Sequence, residues 1–207
     1  MAEVEHDFPL FPLGLVALPH ELVPLHIFEE RYRTMIARCL EQESEFGVVW
    51  LSDDGLKETG CACVVERVLE RHPDGRLNIA CRGTRPFTVL ERIDRLPYPA
   101  SVVEWLEDKA EEPEPRTLEA ARAAYAELVE QATDEPPDAE RVAEMGAYAM
   151  AATVDFGLDA KQGLLDLRSE NARLRLVTRL FRAAVKRLDY VERAQARARS
   201  NGKVRFG

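Results

Sequence analysis

Glu111-Glu112-Pro113-Glu114-Pro115 is the stretch on which the reading of this chain turns. Proline lacks an amide donor and its ring clashes inside a helix, so this acidic run is not regular helix. The residues on its two sides differ in kind. Before it, prolines, glycines and β-branched residues punctuate short apolar runs. After it, Ala, Leu, Glu and Arg dominate at helical spacing. The chain is therefore read as α+β, with a β-rich part over residues 1–110 and a helical bundle over 111–207.

Working back toward the N-terminus, Phe87 to Ile93 and Ser101 to Leu106 read as strands. Cys61 to Glu70 and Leu77 to Cys81 flank Pro73-Asp74-Gly75, whose Asp-Gly pair favours a tight hairpin turn. Phe46 to Leu51 is a buried strand. Phe8 to Leu18 alternates apolar side chains with Pro9, Pro12 and Gly14, and reads as an edge strand or extended arm because proline gives no ladder donor. One helix interrupts the series: Phe28, Tyr32, Met35, Ile36, Cys39 and Leu40 recur at three and four. The segment before it, with Pro19 and Pro24, reads as a loop.

Working forward, Leu118, Ala121, Tyr125, Leu128 and Val129 mark a helix ended by Pro136-Pro137. Asp138 is placed to cap the next, whose stripe is Val142, Met145, Ala149 and Ala152. Asp159-Ala160-Lys161-Gln162 has capping-box spacing. Ser169 precedes a long last helix with Leu174, Val177, Leu180, Phe181, Val185, Leu188 and Val191 on one face.

The bulk composition narrows the function classes. Over 207 residues, 46% hydrophobic and 31% charged is an ordinary globular balance, and the net charge of −9 repels phosphate backbones. Nucleic acid is thus disfavoured as a partner. No apolar run reaches the roughly 18 residues a membrane span needs. Met1-Ala2-Glu3-Val4-Glu5 lacks the basic start and apolar core of a secretory leader, so a cytoplasmic protein with reduced thiols is expected. The chain has no GxxxxGK[ST], GxGxxG after a strand, GxSxG or HExxH. That argues against an enzyme, and no cofactor or metal is expected.

Four constellations can carry chemistry or binding. Cys61, Cys63 and Cys81 can converge across a hairpin, but structural zinc sites usually take four ligands, often from paired CxxC motifs, and core packing is the favoured reading. His20 and His26 bracket a proline-containing segment; with Glu21 or Glu29 they would make an acid/base or metal group, against the plainer reading that each satisfies a backbone group. Phe28-Glu29-Glu30-Arg31-Tyr32-Arg33 is either a helix start whose charges suit its dipole and pair at four, or an aromatic, mixed-charge helix end beside an apolar loop that contacts exposed peptide. Arg193, Arg197, Arg199, Lys203 and Arg205 form a basic tail, read as solvated rather than as an RNA or acidic-partner site.

Phe8-Pro9-Leu10-Phe11-Pro12-Leu13, then Leu18-Pro19, then Leu22-Val23-Pro24-Leu25-His26-Ile27-Phe28-Glu29-Glu30-Arg31-Tyr32 resembles the opening of the Lon protease N-terminal domain. Weaker matches follow in the family's order: Glu45 to Val49, Thr59 to Ala62, Leu69 to Leu77, Gly83 to Val89, Lys161 to Leu165, and Ala172-Arg173-Leu174. The resemblance implies a PUA-like pseudo-β-barrel followed by a helical bundle, and a substrate-recognition role without the ATPase or peptidase chemistry. It also carries the family's substrate-contacting charges onto Glu30 and Arg31. A further basic position of the family is Thr34 here. The expectation is a non-catalytic polypeptide-binding module, an adaptor or modulator of proteolysis. Leu22, Val23, Leu25, Phe28, Glu30, Arg31 and Tyr32 would meet unfolded or exposed segments. Alternatives are a small-ligand or RNA-binding PUA-like module, an enzyme built on His20 and His26, and a partner that forms homo-oligomers through its helices.

Overall fold

A computed structural model describes residues 3–201 of the chain. In order, the elements are β1 (Val4–Leu13), β2 (Leu22–Ile27), α1 (Glu30–Gln42), β3 (Phe46–Ser52), β4 (Gly55–Leu56), β5 (Thr59–Arg71), β6 (Leu77–Ile93), β7 (Ala100–Trp105), α2 (Pro115–Thr133), α3 (Ala139–Glu144), α4 (Ala147–Ala151), α5 (Leu158–Leu165) and α6 (Glu170–Asn201). They pack as two units. One joins the chain up to Glu111 with Ala151–Ser169; the other joins Glu112–Met150 with the chain from Glu170. The change of unit after Glu111 falls at the proline-rich run. The return of Ala151–Ser169 to the β-rich unit is a departure from a simple division near residue 110.

In the first unit, β1, β7, β6, β5 and β3 are neighbours in that order, and β1 pairs again with β3, so the five strands close into a ring. The β1–β3 pairing is parallel, Leu10 opposite Gly47 through Leu13 opposite Trp50; the others are antiparallel. β2 adds to β6 and β4 to β3. Closure leaves β1 no edge strand, contrary to the reading from its prolines. Each half of β1 has one ladder only: Val4 to Pro9 with β7, and Leu10 to Leu13 with β3. The unladdered side of each half tolerates a residue without an amide donor.

Two further strands differ from the sequence reading for the same reason. β6 is one continuous strand through Pro86, because that residue lies where the flanking partner changes from β2, paired up to Arg82, to β7, paired from Phe87. Leu22 to Ile27 is a strand, not a loop. The Gly83 amide donates to the Glu21 carbonyl at 2.9 Å, which sets an alternation in which the nitrogen of Pro24 faces away from β6. Val23, Leu25 and Ile27 are buried, while Leu22, Pro24 and His26 are exposed.

The ring is filled by Phe8, Leu10, Val49, Ala62, Phe87, Val103 and Trp105. Phe8, Phe87 and Trp105 meet edge to face, with centroids 5.2 to 6.1 Å apart. Gly47 is required there: a Cβ would overlap the Phe87 ring. A second buried layer lies under α1, whose Tyr32, Met35, Ile36 and Cys39 face inward. α5 docks through Gln162, whose Nε2 donates to the Thr59 carbonyl at 3.2 Å, and through a largely buried ion pair of Lys161 with Glu21. Its N-cap is Gly157 and makes no side-chain cap bond, so Asp159 sits in the first turn instead of forming a capping box.

In the second unit, α2 packs on α6, with Tyr125 against Phe181 at 5.5 Å. Asp138 caps α3 by accepting from the amides of Glu140 (2.9 Å) and Arg141 (3.3 Å). The expected single helix through Met145 is two. Met145 is extended, and the Ala147 amide donates to Glu170 Oε1 at 2.7 Å, which starts α4 afresh. Of the basic tail, Lys203 and Arg205 lie outside the described residues, as do the side chains of Arg197 and Arg199.

Candidate functional site

Within the first unit, the end of β1, the β2–α1 junction, the β3–β4 hairpin and the end of β6 converge on an apolar groove of about 710 Å³. The site begins with alternation. Ile27 is the last inward residue of β2, so Phe28 must point outward. Phe28 is 60% exposed and stacks on His26 with centroids 5.8 Å apart. Helix α1 then starts at once, because the Glu29 carbonyl accepts from the amides of Tyr32 (3.1 Å) and Arg33 (2.9 Å). That turn swings Tyr32 inward, 5% exposed, stacked on Phe11 at 4.1 Å.

Leu51, 52% exposed, and Leu56 line the groove from the hairpin. Arg92 and Pro99 line it from the end of β6 and the approach to β7. The Arg31 guanidinium is committed: Nη2 lies 2.8 Å from Glu29 Oε2, and the group sits 4.6 Å from the Tyr32 ring centroid. The wall beyond His26 is polar. His26 Nδ1 donates to Asn78 Oδ1 at 2.6 Å, and Asn78 Nδ2 donates to Glu70 Oε2 at 2.8 Å. His72 closes the cluster, its ring 6.1 Å from His26.

Of the seven contact residues expected from sequence, the groove gathers Phe28, Arg31 and Tyr32. Val23 and Leu25 are 6% and 8% exposed and pack inward. Leu22 and Glu30 are exposed but do not line the groove. Phe11, Leu13, Leu51, Leu56, Arg92 and Pro99 carry no local sequence signal for this site, since only strand register brings them here.

The other constellations resolve differently. His20 lies in the turn before β2 and His26 near the end of that strand, so the extended run from Leu22 to His26, about 13 Å long, separates them. His20 occupies a turn at φ 71°, its amide donating to the Gly83 carbonyl, and Glu21 is held by Lys161 and the Leu18 amide. All four thiols are buried. Burial pushes the Cys81 and Cys39 thiols up, and a hydrogen bond to Cys61 together with burial does so for Cys63, which keeps them protonated and poorly nucleophilic. Among the described residues, no group of three or more His, Cys, Asp or Glu is arranged to hold a metal.

The model of the ATP-dependent protease La (Lon) substrate-binding domain matches residues 7–183. The chain belongs to that family. A Lon N-terminal domain protein from Xanthomonas campestris shares 27% identity, with a TM-score of 0.61 over 82% of this chain and 95% of the other. The N-terminal domain of Mycobacterium avium complex Lon protease has the same fold at 17% identity, TM-score 0.60, over 84% of this chain and 97% of that one. The Lon substrate-binding domain is a recognition module and not itself catalytic. Of the family-like run, His26, Phe28, Glu29, Arg31 and Tyr32 line the groove, beside the end of the first strand, the β3–β4 hairpin, Arg92 and Pro99. Among the described residues, no helix is long and apolar enough to cross a membrane.

Proposed function

We propose that the groove binds extended, apolar-rich segments of unfolded or exposed polypeptide, and that the protein acts as an adaptor or modulator of proteolysis by presenting them. One observation carries this reading: two large apolar side chains, Phe28 and Leu51, stand more than half exposed beside the same concave surface. Scattered exposed apolar residues are common, but two lining one concavity are a mark of recognition sites. Burying a side chain of this size fully stabilises a complex by about 1.5–3 kcal/mol. Phe11 and Tyr32 give the groove a stacked, buried floor.

Titration with a reduced, permanently unfolded polypeptide tests the reading. Trp50 adjoins Leu51 and is partly exposed, whereas Trp105 is in the core, so a fluorescence change reports on the hairpin side of the groove. Saturable binding is expected, weakened about tenfold or more by Phe28→Ala together with Leu51→Ala. Absence of saturable binding by both fluorescence and calorimetry contradicts it. The groove volume also lies in the range of small-ligand pockets, so a small apolar ligand is the second reading. A ligand that fills the groove yet leaves polypeptide binding untouched would favour it.

A further inference from the structure

We infer that the groove selects segments in which an acidic side chain lies next to the apolar anchor, and that Arg92 is the residue that reads it. The inference rests on the polypeptide-binding reading above and specifies the chemistry of the partner.

Charge decides the selectivity. The protein carries a net charge of −9, so a cation left open at a binding site stands out against its background. Four residues lining the groove have ionisable side chains outside its aromatic floor: His26, Glu29, Arg31 and Arg92. Glu29 and Arg31 neutralise each other in an ion pair, and Arg31 is further held over Tyr32. His26 is engaged by Asn78 and stacked on Phe28. Arg92 is exposed at the end of β6 and, among the described residues, forms no ion pair. Its guanidinium offers fixed donors to a carboxylate beside an apolar surface, where such a bond is less screened than in open water. Asp53 and Asp54, in the turn of the β3–β4 hairpin, do not line the groove, but they disfavour a carboxylate on that side. An acidic side chain is therefore directed toward the Arg92 and Pro99 wall, with the apolar anchor against Phe28 and Leu51.

The test uses the full chain and three labelled short peptides with one aromatic-aliphatic core, flanked by Glu, Gln or Lys, followed by fluorescence anisotropy at low and high salt. The wild type is expected to bind Glu over Lys by about three- to tenfold at low salt, with Gln between, and the difference shrinks as salt rises. Arg92→Gln should level the series and Arg92→Glu invert it; the side chain is exposed, so neither substitution threatens the fold. A wild type that binds all three equally overturns the selectivity while leaving the groove reading intact. So does an Arg92→Glu variant that keeps the original order. Failure of all three peptides to bind overturns the groove reading and this inference with it.

Discussion

At the scale of residues, the buried charge in the helical unit makes the sharpest stability claim. Arg173 is 2% exposed; its Nε and Nη2 donate to Glu170 Oε2 at 3.0 and 2.9 Å, and its guanidinium lies 4.3 Å from the Tyr148 ring centroid. Removing Glu170 takes a charged acceptor away from this buried guanidinium, and losing such a charge-assisted hydrogen bond costs about 1.5–3 kcal/mol. Glu170→Ala should cost this much in urea unfolding, since it also removes the bond that starts α4. A loss below about 1 kcal/mol would contradict this packing. The thiols make a second claim, with a sign. The folded ionisation of Cys39, Cys63 and Cys81 is pushed above the unfolded value, so their contribution is complete below pH of about 8.5 and is lost as pH rises beyond it. Native protein should react slowly with an aromatic disulfide reagent at pH 8, and the four thiols should react at once on denaturation. Prompt reaction of the native thiols would refute their burial. Phe28, Arg31 and Tyr32 are legible in the sequence because they are local to one junction. Arg92, Leu51 and Phe11 are not, because no local pattern announces a residue placed by pairing.

At the scale of elements, Gly83 is the pin of the β-rich unit. Its amide and carbonyl bond Glu21 and His20, and a Cβ on it would run into the Leu18 carbonyl oxygen. That obstacle is backbone, so relief requires the whole Leu18–Glu21 turn to move. Gly83→Ala should lower stability by about 2–3 kcal/mol. Gly14→Ala, where nothing lies within 4 Å, should leave the melting temperature nearly unchanged. Equal effects would contradict the register. The hairpin at Pro73-Asp74-Gly75 is readable from its turn chemistry: Gly75 sits at φ 85° and Asp74 Oδ1 accepts from the Arg76 amide at 3.1 Å. β2 escapes a local reading because Pro24 suggests a loop; only the pairing with β6 explains why a missing donor on the outward side is harmless. The same local logic splits the long β6 at Pro86.

At the scale of the whole molecule, the division into a β-rich and a helical part is visible in the proline-rich acidic run. The return of α5 to the first unit is not, since its helical periodicity matches its neighbours and its partners are Thr59 and Glu21, far back in the sequence. A chain cut after Glu111 would lack Leu164 and Leu165, both fully buried, and the Lys161 partner of Glu21. It should expose apolar surface, bind a hydrophobic dye and melt early, whereas a freely stable fragment would contradict the assignment of α5. The central claim, that the groove is where polypeptide is met, is tested most directly by amide chemical-shift mapping of the intact protein during titration with an unfolded segment. Shifts are expected to concentrate at Phe11 to Leu13, His26 to Tyr32, Leu51 to Leu56, Arg92, and Tyr98 to Ala100. Shifts confined to the helical unit, or none at saturating polypeptide, would contradict it.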